Sequence, residues 1–146
     1  MSEMKRFIVP IVIVGALYIV WEQHRGPLDV QEPRASSSQV ISTAFKEQKS
    51  GVQVAGEGVV EKVLPDDRDG SLHQRFILRL ASGHTLLVAH NIELAPRIEA
   101  LRSGDVVAFS GVYEWNPEGG VIHWTHHDPS AQHPGGWLKH DGQTFQ

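Results

Sequence analysis

Histidine is the chemically conspicuous residue of this chain. There are nine, and eight of them fall between His73 and His140. Three lie in the run His123-Trp124-Thr125-His126-His127-Asp128. Imidazole binds transition metals and carries protons near neutral pH. The candidate metal ligands are His73, His123, His126, His127 and Asp128, with His133 and His140 as further partners from the tail. Zinc would need three or four nitrogen or oxygen ligands. In an extended strand His123 and His126 point to opposite faces, and His123 and His127 lie about 13 Å apart at ~3.3 Å per residue. Neither pair holds one ion unless the chain bends or ligands arrive from elsewhere.

A second polar group lies around a hairpin. If Ser82-Gly83 is a two-residue turn, Arg75 lies opposite His90 and Gln74 opposite Asn91, with His73 one step beyond. The loop Asp66-Asp67-Arg68-Asp69 enters the same end. Carboxylates there could hold a divalent ion, zinc or calcium, and an arginine could hold a phosphate. Asp67-x-Asp69-Gly70 is a fragment of a calcium-loop pattern. A solvated acidic loop, salt-bridged to Arg68 or Arg75, explains the same residues without function.

Register across Asn116–Gly120 gives a third relation. With Trp115 opposite Val121, Glu114 shares a face with Trp124 and His126. A carboxylate beside a histidine suits a general base, and it also satisfies an ordinary buried histidine. Trp115 and Trp124 could stack a base or a sugar ring, or fill the core. The candidate catalytic residues are Glu114, Arg75 and His90. The candidate ligand contacts are Asp66, Asp67, Gln74, Asn91, Trp115 and Trp124.

The elements that must carry these residues begin after a distinct N-terminal segment. Lys5 and Arg6 precede an uncharged run from Phe7 to Trp21, the pattern of a signal peptide or N-terminal anchor. Fifteen helical residues rise about 22 Å, short of a hydrocarbon core of roughly 30 Å. No small-x-small cleavage site follows, which favours an uncleaved anchor at residues 1–26, with residues 7–21 in the membrane. In a bacterium this is a single pass through the inner membrane with a periplasmic domain; the alternative is a secreted or periplasmic protein after cleavage. Residues 27–37 read as a Pro/Ser-rich tether.

Residues 38–146 form the domain. Val40, Ile41, Ala44 and Phe45 share one face of a short amphipathic helix, with Ser38 as its N-cap and Gly51 after its end. Val52–Leu64 reads as a strand, with Pro65–Gly70 as loop. Arg75–Leu80 and His84–His90 form a hairpin, and Ile92–Leu101 has helical spacing. Val106–Trp115 and Val121–His126 are further strands. The order strand, strand, strand, helix, strand, strand is that of a small five-stranded OB-like Greek-key barrel, a mainly β fold with one helix between strands 3 and 4. The residues around Asp141-Gly142 read as an additional C-terminal hairpin packed on the barrel.

The stretches LPDDRDGSLHQRFILRLASGHTLLVAHNIELAPRI, GVYEWNPEGGVIHWTHHDP and GWLKHDGQTFQ resemble a small bacterial family catalogued as domain of unknown function 3465. The likeness covers roughly Val52 to Gln146, and HWTHHDP is its most specific part. The resemblance implies a single small domain, often behind a signal or anchor, and it implies no activity. The family pattern has an acidic residue where this chain has Val112, and Tyr where it has Phe145.

Composition narrows the function. Cysteine is absent from the 146 residues, so disulfides, thiolate zinc sites and a cysteine nucleophile are excluded. From Gly51 onward there are 7 Lys and Arg against 12 Asp and Glu, a net of −5. An acidic domain has no general attraction for phosphate backbones, which disfavours non-specific nucleic-acid binding. Two readings from different classes follow. One is an anchored envelope module whose His/Asp-rich site binds a divalent metal ion or a small or polymeric ligand. The other is a metal-assisted hydrolase of phosphodiesters, with a metal-bound water as nucleophile, Glu114 or a histidine such as His90 as base, and Arg75 as phosphate clamp. A third, weaker reading is a histidine-based pH sensor. Composition does not indicate an oligomeric state.

Overall fold

A computed structural model describes residues 36–146. The anchor and most of the tether expected from the sequence lie outside the described residues. Among the described residues no helix is long and apolar enough to cross a membrane.

Helix α1, Ser37–Lys46, opens with a capping box. The Ser36 hydroxyl accepts from the Gln39 N–H at 3.3 Å, and the Gln39 side chain accepts from the Ser36 N–H at 3.0 Å. The cap is therefore Ser36 and not Ser38, because this pairing needs Gln three residues on. Ile41 and Ala44 are buried, and Val40 and Phe45 pack against the core, as their spacing requires. The helix sits close to Gly56, where a Cβ would meet the Ser37 Oγ at 2.3 Å.

Seven strands follow: β1 Val52–Asp67, β2 His73–Arg79, β3 Thr85–Asn91, β4 Val106–Glu114, β5 Val121–His123, β6 Trp137–His140 and β7 Gln143–Phe145. The sheet order is β1-β2-β3-β5-β4-β6-β7, and β4 also pairs with β1. β1 through β5 thus close into a ring. Closure rests on the length of β1: Val52–Val59 pairs with β4 and Val59–Asp67 with β2. β3 and β5 pair in parallel; the other pairs are antiparallel. Alternate residues point inward. Phe76, Leu78, Leu86, Val88, Val107, Phe109, Tyr113, Ile122 and Leu138 build the core, with Ile41 added from α1.

The architecture is mainly β, as expected, and four details differ. First, β1 continues through Pro65-Asp66-Asp67 instead of stopping at Leu64. The register shifts between Leu64 and Asp67, and such an irregularity is where a strand tolerates proline.

Second, residues 92–101 form no helix. Ile98 and Leu101 are buried, so the apolar spacing marked burial and not helical conformation. One turn forms where the Ala95 N–H reaches the Asn91 carbonyl at 3.1 Å. Beyond Pro96 the chain is held from β2: the Gln74 amide donates to the Ile98 carbonyl at 2.9 Å and accepts from the Ile98 N–H at 3.0 Å.

Third, both hairpin registers differ by one residue. The β2–β3 loop has three residues, Ala81-Ser82-Gly83, closed by the Leu80 N–H to His84 carbonyl bond at 2.9 Å with Gly83 at φ 85°. This is the three-residue connection with a left-handed third position. Gln74 therefore lies opposite His90, Arg75 opposite Ala89 and His73 opposite Asn91. Across β4 and β5, Glu114 pairs with Val121 and Val112 with His123. The Asn116 side chain closes that loop by accepting from the N–H groups of Glu118 and Gly120 at 3.1 and 2.8 Å.

Fourth, β5 ends at His123 and not at His126. Trp124 turns the chain with φ 56°. The C-terminal hairpin forms as expected: His140 pairs with Gln143 around Asp141 and Gly142, at φ 48° and 75°.

Candidate functional site

Alternation along β2, β3 and β5 presents His73, Arg75, Leu87, Ala89, Asn91, Val121 and His123 on the outer face of the ring. Ala89 lies opposite Arg75, and its single methyl leaves a floor between longer side chains. A groove of about 380 Å³ opens there, walled by Asp67 and Asp69 on one side and by Glu114 and His123 on the other. It continues past His73 and His123 into a pocket of about 160 Å³ bounded by Asn91, Leu94, Trp124 and His126. A further depression runs from Leu87 to the β4–β5 loop at Asn116 and Glu118. The face thus carries one extended channel in a size range typical of ligand sites.

The polar groups of the channel have defined states. His123 Nε2–H donates to Glu114 Oε1 at 3.3 Å. Burial lowers the His123 pKa, and the bond to Glu114 opposes that shift. His73 Nδ1–H donates to the Ser71 carbonyl at 2.8 Å, and His126 Nδ1–H to the His127 carbonyl at 2.7 Å. In the neutral form of either ring Nε2 is then an acceptor. Asn91 Oδ1 accepts from the Glu93 N–H at 2.9 Å. The Arg75 guanidinium donates twice to the Pro65 carbonyl, both at 3.1 Å, and lies 4.0 Å from Asp67.

Trp124 stands at the mouth of the smaller pocket, 40% exposed. Its ring is surrounded by the imidazoles of His123, His126 and His133, at 5.6, 5.6 and 4.0 Å between centroids. A bulky residue with positive φ is uncommon. Its backbone is backed by Gly136, where a Cβ would lie 1.9 Å from the Trp124 carbonyl oxygen. Thr125 and His126, the next two residues, are buried, and His126 borders the smaller pocket.

Eight of the residues expected to form a site meet on this face: Asp67, His73, Arg75, Asn91, Glu114, His123, Trp124 and His126. The two clusters read from the sequence adjoin on this face, where His73 and His123 border both depressions. Glu114 does partner a histidine, but it is His123 and not His126.

Six expected residues lie elsewhere. His90 and Gln74 point into the core. His90 Nε2–H donates to the Pro96 carbonyl at 3.1 Å, so Nδ1 accepts from the Thr125 hydroxyl at 2.8 Å. Burial pushes the His90 pKa down to about 4, so the ring is neutral at physiological pH. Asp66 is ion-paired to Arg97, which raises the arginine's pKa. Trp115 packs against the core, and His127 is exposed.

Asp128 is buried and organises its own loop. It accepts from the Ser130 hydroxyl at 2.7 Å and from the N–H groups of Ser130, Gln132 and His133. These bonds, the Ser130 hydroxyl first, hold its carboxyl well below the usual range. Among the described residues no three His, Asp or Glu side chains converge as a metal site requires.

Sequence reasoning placed Asp69 near the site as one of the loop carboxylates for a divalent ion, and it missed Leu94. Leu94 sits one turn past β3, and its exposure of 47% is invisible in a segment that reads as an amphipathic helix. No curated protein matches the chain. A family model described as "Protein of unknown function (DUF3465)" matches residues 28–146. With that match spanning the whole described domain, the chain belongs to the DUF3465 family.

Proposed function

We propose that the domain is a binding module and that the outer channel over β2, β3 and β5 receives a small or polymeric polar ligand. The observation that carries this reading is the convergence of eight polar and aromatic residues from β1 to β5 and the segment after β5 on one open face. The strand order β1-β2-β3-β5-β4 with closure onto β1 supports an OB-like Greek-key barrel. Such barrels bind oligonucleotides and oligosaccharides on the β2–β3 face between the β1–β2 and β4–β5 loops. Here those loops flank the channel, although fold alone does not assign function. We further propose that residues 7–21 anchor this module in a bacterial inner membrane, with the domain in the periplasm.

A metal-assisted phosphodiesterase is the second reading. The Glu114–His123 pair favours it, since a carboxylate-oriented imidazole suits proton transfer. Arg75, the phosphate clamp of that scheme, is already engaged by Pro65 and Asp67, which counts against it.

The test uses the full chain without a histidine tag. Bound metal is measured after dialysis against zinc, calcium and manganese, and turnover of bis(p-nitrophenyl) phosphate is followed with each metal. The binding reading expects no turnover. Metal-dependent turnover abolished by His123→Ala and Glu114→Gln, with the fold intact, would overturn it in favour of the hydrolase.

A further inference from the structure

The chemistry of the channel is lopsided. Asp67, Asp69 and Glu114 supply carboxylate oxygens. His73 and His126 commit their Nδ1–H groups to backbone carbonyls, so each offers Nε2 as an acceptor when neutral. Among the described side chains of the channel, Arg75 is the one permanent cation, and Pro65 already occupies two of its donors. A ligand that fits must therefore bring donors. A phosphodiester brings acceptors and negative charge, and three carboxylates oppose it.

At one end two large apolar side chains stand among these polar groups. Leu94 and Trp124 are two of the four large hydrophobic residues exposed in the described domain, and both border the smaller pocket. The Trp124 indole does not reach this position by default. It needs a left-handed backbone that bulky residues rarely adopt, and Gly136 packs directly behind it. Observed backbone strain of this kind is a reason to look for function. Asn91 lines the same pocket, and with its carbonyl oxygen used by Glu93 its amide N–H₂ is the group left to donate.

We infer that the ligand is a short glycan, uncharged or amino-bearing, with a pyranose ring stacked on Trp124 and its hydroxyls donating to the acceptors of the channel. Sugars combine the two features the site demands: a face of C–H groups for the indole, and hydroxyls around the rim that donate to carboxylates and imidazoles. A hydroxyl also accepts, which suits the Asn91 amide. A basic peptide would satisfy the carboxylates and its backbone would meet the imidazoles and Asn91, but it brings Trp124 no ring face of C–H groups rimmed by hydroxyls. This inference rests on the channel being a binding site.

The test measures binding of three probes, chitotetraose, its fully de-N-acetylated form and cellotetraose, to the full chain by calorimetry, with histidine and indole NMR resonances as the map. Two controls are a deca-lysine peptide and a ten-residue oligothymidylate. The expected result is binding of at least one glycan, with shifts at His73, His123, His126 and Trp124. Affinity for a neutral glycan should barely change between 50 and 500 mM salt. Trp124→Gly, which suits the positive φ, should lose at least tenfold in affinity, while Trp124→Phe keeps most of it.

Equal binding by Trp124→Gly overturns the proposal. So does failure of all three glycans. If the peptide or the oligonucleotide then shifts the same resonances, the glycan assignment falls and the binding site stands. If no probe shifts them, both fall.

Discussion

Gln74 and His90 lie opposite each other on the inner face of β2 and β3, and both reach the same crossing segment. Gln74 pairs with the backbone of Ile98 in both directions, and His90 donates to the carbonyl of Pro96. Two polar side chains buried in the ring thereby do what a helix would otherwise do: they satisfy the backbone groups of a segment that carries Ile98 and Leu101 into the core.

Replacing Gln74 with Leu preserves size and removes both bonds. The Ile98 N–H and C=O are left buried without partners, at roughly 1–3 kcal/mol each. Urea denaturation should show a loss of about 2–6 kcal/mol. A loss below about 0.5 kcal/mol, the range of an inert surface change, would mean that Ile98 finds other partners.

His90 makes the fold acid-sensitive. Its pKa is about 4 in the native state against 6.5 for a free imidazole. Between those values the unfolded chain takes up a proton that the native chain refuses, so stability falls as pH drops from about 6.5 to 4. The full effect is on the order of 3 kcal/mol. His90→Gln retains one donor and one acceptor but does not titrate. Denaturation at pH 7 and pH 4.5 should show wild type losing more stability on acidification than the variant. Equal losses would place the sensitivity elsewhere.

Glu114 raises the His123 pKa against the lowering effect of burial. In Glu114→Gln the carboxylate is gone and burial acts alone. An NMR titration of the His123 ring should show its pKa fall relative to wild type. A rise would mean the pair does not persist in solution.

Asp128 holds the 128–133 loop through four hydrogen bonds. Asp128→Ala should speed hydrogen exchange at the N–H groups of Ser130, Gln132 and His133, with or without added zinc. Protection that the wild type shows only with zinc, and that the variant lacks, would instead make Asp128 a metal ligand.

Gly120 and Gly142 both have positive φ, but their surroundings differ. A Cβ at Gly120 would lie 2.2 Å from the Tyr113 ring, whereas nothing lies within 4 Å of one at Gly142. Gly120→Ala should destabilise the fold by several kcal/mol, because overpacking adds to the backbone cost. Gly142→Asn should cost under about 1 kcal/mol, since Asn tolerates the left-handed region. Similar melting temperatures for the two variants would contradict this.

Much of this fold was legible in the residues. Alternation from Arg75 to Leu80 and the Asp141-Gly142 turn located β2 and the last hairpin, because period-two burial and turn chemistry are local properties. The misplaced features depended on distant partners. Ile92–Leu101 has helical spacing, yet its conformation is decided by Gln74, over twenty residues earlier. Each hairpin register turned on the length of its loop, and an error of one residue exchanged Ala89 for His90 opposite Arg75. The site suffered the same way. Residue types identified the histidines and carboxylates, but the face His123 presents depended on the β4–β5 register, and the course of the chain beyond it depended on the left-handed turn at Trp124.

The double role of β1 also joins near and distant partners in one strand. β2 and β3 can pair with each other and with the second half of β1 as soon as they exist, since these partners are near in sequence. The first half of β1 must wait for β4, dozens of residues later. Distant pairings of this kind set the slow phase of folding. Until β4 arrives, Val52–Val59 offers an open strand edge to any neighbouring chain. The β1–β4 junction thus spans more sequence than any other pairing in the sheet, and its unpaired half is a strand edge on which two half-made copies would join.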